Sequence, residues 1–369
     1  MRSVWELANP QLKDQIVYEP GKPIEETARE LGIAPEDIVK LASNENPLGP
    51  SPLAVVAMRE AVGNVHLYPD GSGYYLPEAI AKRVGVAREN VILGNGSNEI
   101  IEFLAHAFLN RGDTAVVSQY AFIAYKIAAT LFDAAVIETP SPDYRHHLNA
   151  MLRGVTSNTR LILIANPNNP TGTLIPQREI DDFMNQVPEH VVTVFDEAYY
   201  EFLDQPPDVL QYVRMGRNVV VVRTFSKIHG LAGVRVGYAM APAPIIEVLQ
   251  KAREPFNVSS IAQAGAMAAL KDEEHQRRTK ETVDAGRAYL EKEFKHFGVE
   301  FIPGSANFVM VRVGDGRRTF QEMLARKVIV RPLAGYGLTE WVRISVGTME
   351  QNERCISALK EVLKTNPTT

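Results

Sequence analysis

Cysteine is nearly absent from this chain of 369 residues, in which Cys355 is the single example. One cysteine excludes a disulfide within the chain and is typical of a reducing compartment. Long hydrophobic runs are also missing, and the opening residues M-R-S-V-W-E-L-A-N-P lack the apolar core of a signal peptide. We therefore expect a cytoplasmic protein that has no membrane partner.

A strong excess of charge of one sign is missing as well. The 39 basic and 44 acidic side chains leave a net charge of -5. No block of basic residues indicates a nucleic-acid surface, so we expect small-molecule partners instead. The remaining composition, 45% hydrophobic and 22% charged, is that of an ordinary globular protein. The length allows one large domain and a smaller one.

Short apolar runs that alternate with helical patterns fill the middle of the chain. This alternation predicts an α/β domain, and the continuous apolar character of the runs predicts strands that are covered on both faces. The predicted strands are 91–93, 114–118, 135–139, 161–165, 191–196, 218–223 and 236–241.

After residue 241 the pattern changes to long helices, and the longest of them, 273–296, suits a link between two domains. Beyond it we predict two strands, 308–313 and 341–346, with helices at 317–326 and 349–364. The chain should therefore divide into a large domain, 46–271, and a small domain that combines 1–45, including an N-terminal arm, with 272–369.

A single lysine, Lys227, occupies a polar turn after the valine-rich strand at 218–223, within T-F-S-K-I-H-G-L-A-G-V-R-V-G. Burial beside Phe225 and Ile228 would disfavour its ammonium form and make the amine a better nucleophile. A lysine between a strand and a loop is more often a solvated charge. The spacing to Arg235, eight residues further on, favours the chemical role.

Polar turns also follow three other predicted strands. The turn G-N-G-S-N-E, 94–99, opens a predicted helix at 100–109, and backbone N–H groups at a helix start favour an anion. The third glycine of a dinucleotide fingerprint is missing, so we expect a simple phosphate there. The turn A-N-P-N-N-P-T-G, 165–172, ends a second strand, where ligands of open α/β sheets collect. In V-V-T-V-F-D-E-A-Y, 191–199, Asp196 follows a buried run and needs a partner.

Eight motifs in the expected order carry a resemblance to a known family: Y-E-P-G-K-P, S-N-E-N-P-L-G, Y-P-D-G, G-N-G-S-N-E, N-P-N-N-P-T-G, D-E-A-Y, the Lys227 motif and V-R-I-S-V-G-T. Together they resemble the fold-type I pyridoxal-phosphate (PLP) aminotransferases, and within them the histidinol-phosphate aminotransferases. The resemblance implies a seven-stranded, mostly parallel sheet between helices, a smaller α/β domain, PLP as cofactor, no metal, and a homodimer with shared active sites.

The resemblance also assigns roles around the cofactor. Lys227 would hold PLP covalently and transfer the proton, and Asp196 would face the pyridine nitrogen. Asn169 and Tyr199 would bind the ring oxygen. An aromatic ring would stack on the pyridine, with Tyr120 preferred and Phe122 as its rival. The phosphate would be bound by Gly96, Ser97, Asn98, Thr224, Ser226 and Arg235, and by Tyr68 of the partner subunit.

For the substrate, the resemblance implies contacts from Asn44, Arg331 and Arg343, with Tyr18 of the arm closing over the phosphate. The implied reaction is ping-pong transfer of the amino group of histidinol phosphate to 2-oxoglutarate, a step of histidine biosynthesis. An aromatic amino-acid aminotransferase is the first alternative, because phenylalanine and tyrosine also offer a flat ring and one anion. A threonine-phosphate decarboxylase and a non-catalytic cofactor-binding module are further alternatives, and the intact Lys227 argues against the last.

Overall fold

The computed structural model describes residues 3–13, 15, 17 and 21–365, so the predicted substrate residue Tyr18 lies outside the described residues. Its strands are β1 (Val39–Lys40), β2 (Val91–Gly94), β3 (Thr114–Ser118), β4 (Ala135–Thr139), β5 (Thr159–Ala165), β6 (Val192–Asp196), β7 (Val219–Thr224), β8 (Gly237–Met240), β9 (Phe301–Ile302), β10 (Phe308–Arg312), β11 (Val328–Ile329), β12 (Arg331–Leu333) and β13 (Leu338–Ser345).

The α-helices of the described residues are α1 (Val4–Leu7), α2 (Ile24–Leu31), α3 (Pro52–Val62), α4 (Tyr75–Val84), α5 (Ser97–Phe108), α6 (Ile123–Leu131), α7 (Leu148–Arg153), α8 (Gln177–Met184), α9 (Leu210–Arg214), α10 (Ala243–Ala252), α11 (Ser260–Lys271), α12 (Glu273–Phe297), α13 (Gly316–Ala325) and α14 (Met349–Thr365). In these residues no helix combines the length and the hydropathy needed to cross a bilayer.

The central sheet has seven strands in the order β2-β8-β7-β6-β5-β3-β4. Only β8 runs antiparallel to its two neighbours, β2 and β7. The predicted α/β fold with a seven-stranded, mostly parallel sheet is therefore confirmed. Each of the seven strands predicted for this sheet coincides with an observed one to within two residues at either end.

Both faces of this sheet are buried, which explains the continuous apolar runs. Along β7, Val219 and Val221 join one hydrophobic cluster and Val220 and Val222 join another, because successive side chains of a strand point to opposite faces. The first cluster includes side chains of α3, α4, α7, α8, α9 and α11, and the second includes those of α5, α6 and α10.

A smaller antiparallel sheet, in the order β12-β13-β10-β9, lies beside α12, α13 and α14. Val283, Leu290 and Phe294 of α12 are fully buried in its core. The helix begins after Asp272, which accepts a hydrogen bond from the backbone N–H of His275, and ends at Gly298 with a left-handed φ of 71°. The domain boundary between residues 271 and 272 stays a prediction.

Two predicted elements differ from the structure. The helix expected at 100–109 is α5, which begins three residues earlier at Ser97, because the preceding Gly96 adopts a φ of 82° that other residues disfavour. Ser97 and Asn98 thus belong to the first helical turn. The sequence I-V-K-L-A at 38–42 also predicts a strand, but the structure forms only β1 there, which pairs with the equally short β11.

Candidate active site

A cavity of about 250 Å³ opens where β5, β6 and β7 end, facing the small sheet. These strands are parallel neighbours, with Ala165 opposite Asp196 and Asp196 opposite Val222, so the turns that follow them meet at one edge. The predicted site residues that line the cavity are Asn44, Ser97, Asn98, Asn169, Asp196, Tyr199, Thr224, Ser226, Lys227, Arg235, Arg331 and Arg343.

Lys227 lies three residues beyond the end of β7, with its Nζ 3.3 Å from the carbonyl oxygen of Ser43 and 5.8 Å from the ring centre of Tyr199. Burial, helped by the nearby cation of Arg343, lowers the pKa of Lys227 to about 8. The amine is therefore neutral in a far larger fraction of molecules near neutral pH than a solvated lysine, as a nucleophile or proton acceptor requires.

Asp196, the last residue of β6, is buried. Its Oδ1 accepts a hydrogen bond of 3.1 Å from the backbone N–H of Ala198, and its Oδ2 accepts one of 2.9 Å from the hydroxyl of Tyr125. Burial raises the pKa of Asp196, and these two donors with Lys227 oppose the rise. Because a buried carboxylate is costly without an opposite charge, this site suits a ligand that places a cationic group beside Asp196.

Tyr199 and Asn44 form a second buried pair. The Nδ2 of Asn44 donates a hydrogen bond of 2.9 Å to the Tyr199 hydroxyl, and burial raises the pKa of Tyr199 to about 12. Asn44 has a left-handed φ of 53°, held by Ser345, whose Oγ accepts from the Asn44 backbone N–H at 2.8 Å and donates to Asn44 Oδ1 at 2.9 Å. The small sheet thereby fixes a residue of the cavity wall.

Arg343 bridges the two sides of the cavity. Its Nη1 donates a hydrogen bond of 2.5 Å to Oδ1 of Asn169 in the turn after β5, and its Nη2 donates one of 2.7 Å to the carbonyl oxygen of Ala42. Arg331 is its partner across the β12–β13 ladder, so the two guanidinium groups line the same wall. Such a pair suits a doubly charged anion.

The opposite end of the cavity combines the start of α5 with the turn after β7. Ser97 and Asn98 are the first residues of that helix, and Arg235 lies against Gly96. A Cβ atom at Gly96 would be only 2.3 Å from Nη2 of Arg235, so glycine permits this approach. Thr224 donates through its hydroxyl to Ser226 at 2.9 Å. Helix N–H groups, hydroxyls and a guanidinium together suit a phosphate.

Of the two aromatic candidates, Phe122 lines the cavity and Tyr120 does not. The stacking of either ring on a cofactor stays a prediction. Tyr120 lies in the turn after β3 and stacks on Tyr144 with ring centres 5.6 Å apart, and Tyr144 in turn packs on Trp341. Phe122 comes immediately before α6, which turns its ring toward the cavity.

Tyr68 is not part of this cavity. Its side chain is 82% exposed and stacks on Phe256 with ring centres 4.7 Å apart. The predicted contact of Tyr68 with a partner subunit stays a prediction.

Sequence reasoning missed Tyr125, Tyr336 and Gly21. Tyr336 and Gly21 line the cavity, and Tyr125 lies behind it against Asp196. The spacing F-I-A-Y, with Phe122 and Tyr125 one helical turn apart, was the available signal for Tyr125. Gly21 lies within the motif Y-E-P-G-K-P of the arm, which was the available signal for it, whereas no local pattern marks Tyr336 in its short turn.

The cavity is strongly cationic. Among the described residues, four cationic side chains line it, those of Lys227, Arg235, Arg331 and Arg343, together with one carboxylate, that of Asp196. This balance favours ligands with more than one negative group, whatever the net charge of the chain.

Comparisons with known proteins agree with this geometry. The model of the family "Aminotransferase class I and II" matches residues 36–359. A histidinol-phosphate aminotransferase of Akkermansia muciniphila is 54% identical over 98% of this chain and 100% of its own length. One of Moorella thermoacetica is 48% identical over 94% of this chain and 90% of its own.

A solved structure of a histidinol-phosphate aminotransferase also resembles this chain over nearly its whole length. The crystal structure of histidinol-phosphate aminotransferase from Sinorhizobium meliloti in complex with pyridoxal-5'-phosphate superimposes with a TM-score of 0.88 at 26% identity, covering 97% of this chain and 98% of that one. The chain therefore belongs to the class I and II aminotransferase family.

Proposed function

We propose that this enzyme is a PLP-dependent aminotransferase that converts histidinol phosphate and 2-oxoglutarate into imidazole-acetol phosphate and glutamate. The observation that carries the proposal is the cavity with four cations and one buried carboxylate around Lys227. PLP, histidinol phosphate and 2-oxoglutarate each bring an anionic group to be bound there. The names of the relatives, which share 48% to 54% of the sequence, point to the same donor.

The residues present fit PLP. The glycine at position 96 brings the start of α5 against Arg235, so Ser97, Asn98, Thr224, Ser226 and Arg235 would bind the cofactor phosphate. Asp196 would pair with the ring nitrogen, Asn169 and Tyr199 would bind the ring oxygen, and Phe122 would cover one ring face. When bound, PLP supplies an electron sink that stabilises the negative charge left by proton removal.

Lys227 would be the group that accepts and returns the proton in this reaction. Because its pKa is lowered to about 8, its Nζ can act as a nucleophile and then accept a proton without a large penalty. Tyr199 and Asn44 are buried and shield one side of this amine from water. Asp196 stays ionised when a protonated nitrogen lies beside it, since opposite charges at close range favour each other.

Arg343 and Arg331 would bind the substrate's anionic end. Histidinol phosphate carries a phosphate and no carboxylate, whereas glutamate carries two carboxylates, so one pair of guanidinium groups must accept both kinds of anion. Arginine suits this double task because its planar fork matches carboxylate and phosphate alike. Asn44 would contact the substrate, and the proposed help from Tyr18 rests on the sequence alone.

Visible spectra in single-turnover experiments test this proposal. The purified protein loaded with PLP is mixed with histidinol phosphate, phenylalanine or tyrosine at matched low concentrations, and the loss of the cofactor band is followed. Fast loss with histidinol phosphate alone is the expected result. Equal or faster loss with the aromatic acids would make the protein an aromatic aminotransferase. Release of carbon dioxide from threonine phosphate would make it a decarboxylase.

We further propose a homodimer in which Tyr68 reaches the cofactor phosphate of the partner. The support is a group of large hydrophobic side chains between residues 53 and 75, each at least half exposed: Leu53, Val56, Val62, Val65, Leu67, Tyr68, Tyr74 and Tyr75. So many exposed large hydrophobic side chains in one stretch of the chain favour a subunit interface. Mixing inactive Tyr68→Ala and Lys227→Ala proteins should restore activity once subunits have exchanged. No recovery after proven exchange would contradict shared sites.

A cytoplasmic location and partners limited to small molecules complete the proposal. The support is a net charge of -5 without a basic block and a single cysteine, Cys355, which is buried. Fractionation of cells that express the protein should recover it with soluble enzymes.

A further inference from the structure

Tyr125 is a fully buried residue to which the proposed reaction assigns no task. It lies in the first turn of α6 and is 1% exposed. Its hydroxyl donates a hydrogen bond of 2.9 Å to Oδ2 of Asp196, which belongs to β6, 71 residues further along the chain. A buried phenol needs such a partner, and the choice of this carboxylate ties α6 directly to the cavity.

The same ring also braces the residue that lines the cavity. Tyr125 and Phe122 pack edge to face, with ring centres 5.7 Å apart and planes at 87°. The backbone N–H of Tyr125 donates to the carbonyl oxygen of Phe122 at 3.1 Å, so the two residues form one turn. Tyr125 therefore contacts both Asp196, which is proposed to pair with the nitrogen of the cofactor ring, and Phe122, which is proposed to cover the face of that ring.

The type of donor matters for the charge of Asp196. The two hydrogen bonds that its carboxylate accepts from the described residues come from the phenol of Tyr125 and from the backbone N–H of Ala198, and both donors are neutral. Neutral donors stabilise the carboxylate without cancelling its charge, whereas a close arginine would form a complete ion pair and leave less attraction for a ligand cation. The negative charge of Asp196 therefore remains available to attract a protonated nitrogen of the cofactor.

We propose that Tyr125 is a positioning residue that orients Asp196 and Phe122 around the cofactor ring, and that its hydroxyl strengthens the pairing of Asp196 with the ring nitrogen. This inference rests on the proposed function, because it needs PLP in the cavity. It acts through Asp196 and not by contact with substrate.

The test compares two ligands in the unloaded protein. One is PLP, and the other is an analogue in which a C–H group replaces the ring nitrogen. Tyr125→Phe keeps the ring against Phe122 and removes only the hydroxyl. The expected result is about tenfold weaker binding of PLP or more, the range of one hydrogen bond to a charged group. The analogue cannot pair with Asp196, so its affinity should change by less than about twofold.

The chain offers a matched control. Tyr212 is also a buried tyrosine, 5% exposed, whose hydroxyl donates to an aspartate, Asp181, at 2.5 Å. It belongs to α9, outside the residues that line the cavity. Tyr212→Phe should therefore leave the affinity for PLP and for the analogue unchanged.

Each outcome decides between the explanations. Equal losses for PLP and the analogue would mean that Tyr125 only fills space, and an unchanged PLP affinity would mean that it does not act on Asp196; either result overturns the inference. If Tyr125→Phe does not fold, 3-fluorotyrosine at position 125 keeps the shape with a stronger donor. It should increase the preference for PLP over the analogue, and an unchanged preference would again overturn the inference. Wild-type protein that binds no PLP would instead overturn the proposed function.

Discussion

The two sides of the cavity are built in different ways. On the large-sheet side, Asp196, Thr224 and Lys227 follow directly from the ends of adjacent parallel strands, so the register of the sheet sets their positions. On the small-sheet side, Asn44 and Arg343 are held by side-chain hydrogen bonds to residues 174 to 301 positions away in the chain. Sheet geometry is hard to disturb with one substitution, whereas a side-chain contact is easily removed.

This difference separates two tasks. The large-sheet side carries the residues proposed for PLP, and the small-sheet side carries those proposed for the substrate anion. Substitutions on the first side should therefore affect the cofactor, and those on the second should affect the substrate while the cofactor stays bound. The two sides influence each other at Lys227, because Arg343 of the small-sheet side helps to lower the pKa of this lysine on the large-sheet side.

Lys227→Ala should have the largest effect. No other lysine lines the cavity among the described residues, so the variant has no amine to take the proton, and activity with histidinol phosphate should fall about 10,000-fold or more. Steady-state rates measure this loss, and added methylamine should restore part of it by supplying a free amine. A variant that keeps more than a few per cent of the wild-type rate would remove Lys227 from the mechanism.

Lys227→Met should stabilise the unloaded protein at neutral pH, and the gain should shrink as the pH rises. The pKa of Lys227 is lowered to about 8 in the folded protein and returns to the ordinary value of 10.5 on unfolding. Between these values the unfolded chain binds a proton that the folded protein has released, so wild-type stability rises with pH.

The difference in the free energy of unfolding between variant and wild type should fall by about 2 to 3 kcal/mol from about pH 7 to about pH 10. Chemical denaturation at several pH values measures it. In an Arg343→Ala background the pKa of Lys227 should be higher, because a cation that repels its ammonium form is gone. The pH range over which the stability difference changes should therefore begin at a higher pH. A stability difference that does not vary with pH would contradict the lowered pKa.

Arg343→Ala should reduce kcat/KM for glutamate about 10-fold to 100-fold, the range of one lost charge-assisted hydrogen-bond partner. The affinity for PLP should change far less. The matched control is Arg312→Ala, which removes an exposed arginine of the same sheet that pairs with Glu300 and Glu340. If Arg312→Ala lowers kcat/KM for glutamate as much as Arg343→Ala does, Arg343 has no specific role in binding the anion.

Ser345→Ala should have the smallest effect. It removes the hydroxyl that fixes Asn44, so we expect about a fivefold lower kcat/KM, roughly one hydrogen bond, with the change mainly in KM. The control is Ser357→Ala on the exposed face of α14. A change in PLP affinity larger than the change in KM would show that the two sides are not separable.

The large-sheet side was accessible from the sequence for a physical reason. Apolar runs of strand length are buried on both faces, and the polar residues that follow parallel strands meet at one edge. The seven strands, Asp196 and the turn with Lys227 could therefore be placed before any coordinates. The start of α5 was misplaced because the left-handed φ of Gly96 is a property of the backbone that composition does not reveal.

The small-sheet side was harder to predict. No spacing rule indicates that Arg343 reaches Asn169 or that Ser345 fixes Asn44, because these contacts depend on how two distant segments pack. Tyr120 and Phe122 illustrate the same limit over a short distance. Both are aromatic and two residues apart in a turn, and the point at which α6 begins decides which ring faces the cavity.

Reduction of the PLP-loaded protein with borohydride, followed by mass mapping of its peptides, shows directly which lysine holds the cofactor. Borohydride fixes the bond between PLP and the amine that holds it. We expect the cofactor on Lys227, in the peptide that contains T-F-S-K-I-H-G. Cofactor on another lysine, or no fixed cofactor at all, would contradict it.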